Sequence, residues 1–168
     1  MSGLSGRVVV ASVAGSLVGG LLGAAAMSAG HALLSAAARD APPPSDAAQG
    51  EDATVKVADQ VSRVVRQRPL EEREKPVAAE VVHYGFGATM GALYGAVALA
   101  APRATIGAGL GFGAAVWLGA HAVVVPALGL ARSPLHEPPG KEARELVLHL
   151  IYGVTVNLVR AAAIRISR

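Results

Sequence analysis

Four long stretches of the chain are apolar and nearly free of charge, and polar segments separate them. The first lies between Arg7 and Arg39, with His31 as its only ionisable residue. The second runs from Glu80 to Arg103, the third from Arg103 to Arg132, and the fourth from Leu146 to Ile164. Near the end of the fourth lies Arg160, whose long side chain can snorkel to the headgroups. Each reaches the roughly 20 apolar residues that a helix needs to cross a bilayer core. A helix closes its own backbone hydrogen bonds, which lipid cannot do for it. The pattern predicts an all-α polytopic membrane protein. It would be a single membrane domain over 1–168, with four transmembrane helices at about 8–35, 81–101, 104–130 and 146–164.

The connections carry their own signals. Residues 39–80 are polar and open on Asp40-Ala41-Pro42-Pro43-Pro44, where the prolines lack donors and restrict their neighbours. Further on, Val57, Val61, Val64 and Val65 recur at helical spacing among Lys56, Arg63, Arg66 and Arg68. That pattern predicts a short amphipathic helix, lying on the membrane surface or packed against the rest of the loop. Ala101-Pro102-Arg103 reads as a tight turn, and Ser133-Pro134 to Pro138-Pro139-Gly140 as a turn-rich connection. His136, within that connection, reads as solvated. Arg7 before the first span and Ser35-Ala36-Ala37 after it would also suit a cleaved signal peptide. The apolar run, however, is longer than the roughly 7–15 residues of such a leader.

Composition supports the membrane reading. Only 16% of residues are charged and 52% are hydrophobic, whereas soluble domains average about 25% charged. Twenty glycines and few aromatics suit thin helices that approach closely. The absence of cysteine excludes disulfides, thiol catalysis, thiolate metal sites and iron–sulfur clusters. A net charge of +3 without a P-loop, zinc-finger or RNA-binding pattern gives no case for nucleic acid. No enzyme is expected: no nucleophile has a recognisable setting, and no embedded carboxylate accompanies the intramembrane histidines.

Four spans place both termini on one side. That side carries Arg7, Arg103, Arg160, Arg165 and Arg168 and no acid; all twelve acidic residues and ten of the Lys and Arg fall on the other. The orientation rule counts basic residues, so the raw count opposes termini inside. The first helix usually dominates, and Arg7 precedes it, which favours cytoplasmic termini.

Two pairs of spans look alike. Residues 23–32 and 113–122 are identical at five of ten positions, including His31 and His121. His83-x-x-x-Gly87-x-Thr89 matches His149-x-x-x-Gly153-x-Thr155. The chain reads as a tandem duplication of a two-helix hairpin, its copies parallel. Gly15, Gly19 and Gly23 form consecutive GxxxG steps, as do Gly87, Gly91 and Gly95. Such faces let backbones touch, within a chain or between copies in a homo-oligomer or larger membrane complex. Pro126 should kink the third span near Ala122. Ser12, Ser16, Ser28, Thr89 and Thr155 read as structural, and Asn157 should face a neighbouring helix.

At about 1.5 Å rise per residue, His83 and His149 lie roughly 5 Å inside the boundary opposite the termini, and His31 and His121 climb to the same level. The four form one layer. Imidazole titrates near pH ~6.5, so such a layer could make helix packing sense acid, or influence proton or ion passage. Neutral imidazoles could instead ligate a divalent metal or haem, although no cofactor is required. A single histidine near a helix end can also simply wet its ring in the headgroups.

From His83 onward the features resemble the YagU-like family of bacterial inner-membrane proteins. The matching order is His83, Gly91 and Tyr94; the Pro102-Arg103 turn; Gly107 through His121; Pro126-Ala127-Leu128-Gly129-Leu130; a Pro-rich loop; and His149 to Arg160. The resemblance spans roughly residues 80–165 and rests mostly on Gly, Ala and Leu. It implies a multi-pass protein of the bacterial inner membrane with cytoplasmic termini. That family has no settled biochemical activity, though acid tolerance has been suggested for it.

Overall fold

The computed structural model describes residues 5–37, 53–130 and 137–167. The Asp40–Pro44 segment, Ser133-Pro134, His136 and Arg168 lie outside the described residues. All regular structure among the described residues is helical. The elements are α1 (Gly6–Ala37), α2 (Ala53–Val65), α3 (Lys75–Ala100), a 3₁₀ turn (Pro102–Thr105), α4 (Leu110–Val116), a π-helical turn (Trp117–Val124), α5 (Val125–Ala127) and α6 (Pro139–Ser167).

Three of these helical stretches are long and apolar enough to cross a bilayer: Gly6–Ala37, Leu110–Ala127 and Pro139–Ser167. Four were expected from the sequence. The shortfall is α3, which has the length, at 26 residues, but not the apolarity. His83, Tyr84, Tyr94 and four glycines dilute its aliphatic content. Large aliphatic side chains such as Leu22, Leu93, Leu118 and Leu158 point outward and stay exposed. Ser12, Ser16, Ala24 and several glycines are buried instead. This inverts the arrangement water selects and is the arrangement of a membrane protein.

Glycine seams bring the long helices together. A Cβ on Gly91 would collide with the Ser16 carbonyl oxygen, and one on Gly95 would lie 2.5 Å from the Ser12 carbonyl oxygen. Gly15, Gly19 and Gly23 meet α6 at Ala163, Val156 and Tyr152. Numbers rise along α1 as they fall along α3 and α6, so α1 lies antiparallel to both. Residues Leu110–Ala127 run antiparallel to α6 in the same way, with Gly109 and Gly113 against the backbone of Gly153 and His149. Gly109 also has φ +93°, which an L side chain rarely adopts, at the site of backbone contact where α4 begins. Both GxxxG faces are therefore filled within one chain. Between the seams, Met27, Tyr94, Val116, Leu148, Tyr152 and Val156 form the core, with the Phe112 ring packed at a tilt against both tyrosines.

Helices extend past the apolar runs. The fourth was expected to begin near Leu146; α6 begins at Pro139. Proline has no donor to lose in a first turn, so Pro138-Pro139-Gly140 starts the helix rather than preventing it. The Pro138 carbonyl accepts from the Lys141 and Glu142 amides. Pro126 was expected to kink its helix. Just before it the helix widens into the π-helical turn. The proline ring crowds the preceding turn and leaves a carbonyl without its usual donor, and widening relieves both.

Candidate functional site

One end of the bundle gathers the histidines. His31 lies in the last two turns of α1, His83 in the third turn of α3, His121 inside the π-helical turn, and His149 in the third turn of α6. Three of them share a cluster. The His121 and His149 rings are centred 5.9 Å apart. His121 Nε2 lies 3.1 Å from a Glu142 carboxylate oxygen, and His31 Nε2 lies 3.6 Å from Glu145. The Glu145 backbone carbonyl lies 2.8 Å from His149 Nδ1. His83 stands apart from these pairs, with Nε2 3.2 Å from the Ala24 carbonyl and its ring edge-on to Tyr84.

The carboxylates correct the sequence reading, in which no embedded acid accompanied the histidines. Glu142 and Glu145 are only 13% and 19% exposed, less than the histidines they face. They were missed because α6 was started too late. Once Pro139 begins the helix, Glu142, Glu145 and His149 follow at helical spacing on one side of it. Acids in a first turn also favour the helix N-terminus electrostatically. A histidine can meet a carboxylate only as a donor, as the Nε2–H tautomer or as imidazolium. Each bridge joins α6 to a different helix, so the layer ties three helix ends.

Divalent metal and haem were open from sequence. No group of three His, Asp or Glu converges in a ligating arrangement among the described residues. The Nε2 atoms of His31 and His121 face carboxylates.

Residues 60–158 match the family described as protein of unknown function, DUF1440. The chain belongs to the DUF1440 family. No curated protein and no solved structure matches it. The DUF1440 match contains His83, His121, His149, Glu142 and Glu145, while His31 and all of α1 precede it.

In this DUF1440 chain a folded polar cap accompanies the histidine end. Helix α2 packs Ala58 and Ser62 inward and leaves Val61, Val64 and Val65 exposed, as a surface-lying amphipathic helix would. Lys56 Nζ donates to the Leu130 carbonyl at 2.7 Å, tying α2 to the chain just after α5. The Leu70 amide and Arg63 donate to Asp59 and hold its carboxyl below the usual range. The Arg68 guanidinium grips both oxygens of Glu74, and together with the Glu71 amide and Arg66 it depresses Glu74 strongly.

The opposite end holds a second polar group that sequence reasoning missed. Arg160 was expected to snorkel outward; instead its Nε donates to Ser12 Oγ at 2.8 Å. Ser12 passes its own proton to the Gly95 carbonyl at 2.9 Å. Asn157 faces α3, accepting from Tyr94 Oη at 2.7 Å. Thr89 and Thr155, each six residues after a histidine, donate back to the carbonyl four residues earlier.

Proposed function

We propose that this protein is a small, noncatalytic membrane module whose histidine–carboxylate layer makes packing at one end of the bundle respond to acid. The observation that carries this reading is His121 facing Glu142 across two helices, with His149 beside it. Near pH ~6.5 an imidazole gains its proton. Protonated His31 and His121 each face a carboxylate of α6, and those attractions draw α1 and the third span onto α6. His149 opposes part of this, because its charge would lie beside that of His121. The carboxylates lie 3.1 Å and 3.6 Å from their histidines while the His121 and His149 rings are 5.9 Å apart, so the nearer attractions outweigh the repulsion among the histidines and close the end as the pH falls.

The test uses the absence of native cysteine. Spin labels at Leu34→Cys and Ala143→Cys report the spacing of the α1 and α6 ends in micelles at pH 7.5 and pH 5.0. The expected result is a shorter distance at the lower pH. That shortening should vanish when His31, His121 and His149 are all replaced by Gln. An unchanged distance in the parent protein would overturn the reading.

We also read the chain as four spans in two duplicated hairpins. In support, α3 matches α6 in antiparallel packing, in the glycine four residues after its histidine, and in the threonine back-bond. The likeness to YagU-like proteins favours the bacterial inner membrane. Arg7, Arg103 and Arg165, which face no acid among the described residues, favour cytoplasmic termini.

A further inference from the structure

At the end opposite the histidines, α1, α3, the 3₁₀ turn and α6 leave a cleft of about 400 Å³. Val8, Leu99, Pro102 and Ile164 wall it with apolar surface, and Arg160 and Arg165 line it with charge. Every ion pair among the described residues involves an acid of the histidine end, and neither arginine is in one. Arg160 is not free to swing away. Its Nε is held by Ser12, itself bonded to the Gly95 carbonyl, so the guanidinium is anchored while its terminal amino groups keep their hydrogens to donate. A guanidinium held at the edge of a bilayer without a carboxylate calls for another anion. Its forked donors suit the oxygens of a phosphate, and the apolar walls suit an acyl chain leaving that phosphate.

We propose that this cleft binds an anionic phospholipid, with the headgroup phosphate on Arg160 and Arg165 and the first part of an acyl chain along Val8, Leu99 and Ile164. The site is independent of the histidine layer, on other residues at the other end.

Native mass spectrometry of the full chain, released from nanodiscs of mixed phosphatidylglycerol and phosphatidylcholine, counts the lipid retained. One phosphatidylglycerol should stay bound in preference to phosphatidylcholine. Each basic residue facing an anionic lipid contributes about a five-fold gain in binding. Arg165→Gln should therefore lower retention about five-fold, Arg165→Lys should restore most of it, and adding Arg160→Gln should lower it about 25-fold. Arg165 makes no hydrogen bond or ion pair that the fold depends on, so its variant keeps the test valid even if Arg160→Gln unfolds the bundle. Equal retention of phosphatidylcholine, or retention unchanged by Arg165→Gln, would overturn the proposal. So would displacement of the lipid by millimolar inorganic phosphate, which would mark a site for the free anion.

Discussion

Replacing Gly91 with alanine adds one carbon where the backbones of α1 and α3 touch. That carbon would overlap the Ser16 carbonyl oxygen and sit 2.9 Å from Gly20 Cα and 3.0 Å from Gly20 N. All three atoms belong to backbone, so no flexible side chain can yield. Carbon contacts settle near 3.5–4.0 Å, so the helices must part by about 1 Å or more. Forced overpacking costs about 1–3 kcal/mol, and a gap of that width loses a quarter to a half of each affected dispersion contact. Gly85 is the internal control, because a Cβ there meets nothing within 4 Å. Gly85→Ala gains up to about 1 kcal/mol from helix propensity. The propensity gain is common to both sites of one helix and cancels, so the two variants should differ by the overpacking cost alone, about 1–3 kcal/mol. Reversible unfolding of each variant in mixed micelles, titrated with a denaturing detergent, measures the difference. Gly113→Ala, against the His149 carbonyl, and Gly111→Ala, in open space, repeat the comparison where α4 meets α6. If alanine at Gly91 and at Gly85 is tolerated equally, the backbones do not touch there and the seam is misplaced.

Two further outcomes follow from individual contacts. Tyr94→Phe leaves Asn157 without its 2.7 Å donor inside the bundle and should cost about 0.6–1.7 kcal/mol, which pairing it with Asn157→Leu should largely recover; the same unfolding assay reads both. Asp59 and Glu74 have lowered pKa values when folded, so they stabilise the cap above the ordinary carboxylate range and lose that contribution as pH falls through their folded values. Amide exchange at Leu70, corrected for its intrinsic rate, should be slow at pH 6 and should accelerate progressively as the pH falls from about 4 toward the folded values; a corrected rate at pH 2 equal to that at pH 6 would refute this.

The helices and the histidine layer were legible because both depend on spacing along the chain. Long uncharged runs locate helices, and counting residues from the flanking charges puts His31, His83, His121 and His149 at one end. What spacing cannot show is which helix faces which. His31 meets Glu145 across 114 positions of chain, and no local pattern announces that pair. A rule applied too strictly hid the other half of the site. Pro138-Pro139-Gly140 signals a turn by composition, yet proline opens helices as well as breaking them, and the two acids followed it into α6. Arg160 was misjudged for a related reason. Snorkelling is the default for a basic residue near a helix end, but a hydroxyl on the neighbouring helix offered a closer partner. α3 shows the converse. Gly87, Gly91, Gly95 and Tyr94 lower its apolar content because they are what packs against α1 and α6.

Packing and chemistry are here one constraint. His31 lies level with Glu145 because the seam of Gly15, Gly19 and Gly23 sets α1 against α6 at a single register. His121 lies level with Glu142 because Gly109 and Gly113 set the Leu110–Ala127 stretch against the same helix. A slip of one helical turn moves a residue by about 5.4 Å. That exceeds the reach of either bridge, which are 3.6 Å and 3.1 Å long. The side chains cannot choose their partners independently of the glycines, and a seam loosened far below the layer must be felt in it. Acid response, if carried by these bridges, would then be altered by Gly19 or Gly113 variants that leave every titratable group in place. A layer of independent surface histidines would give no such coupling.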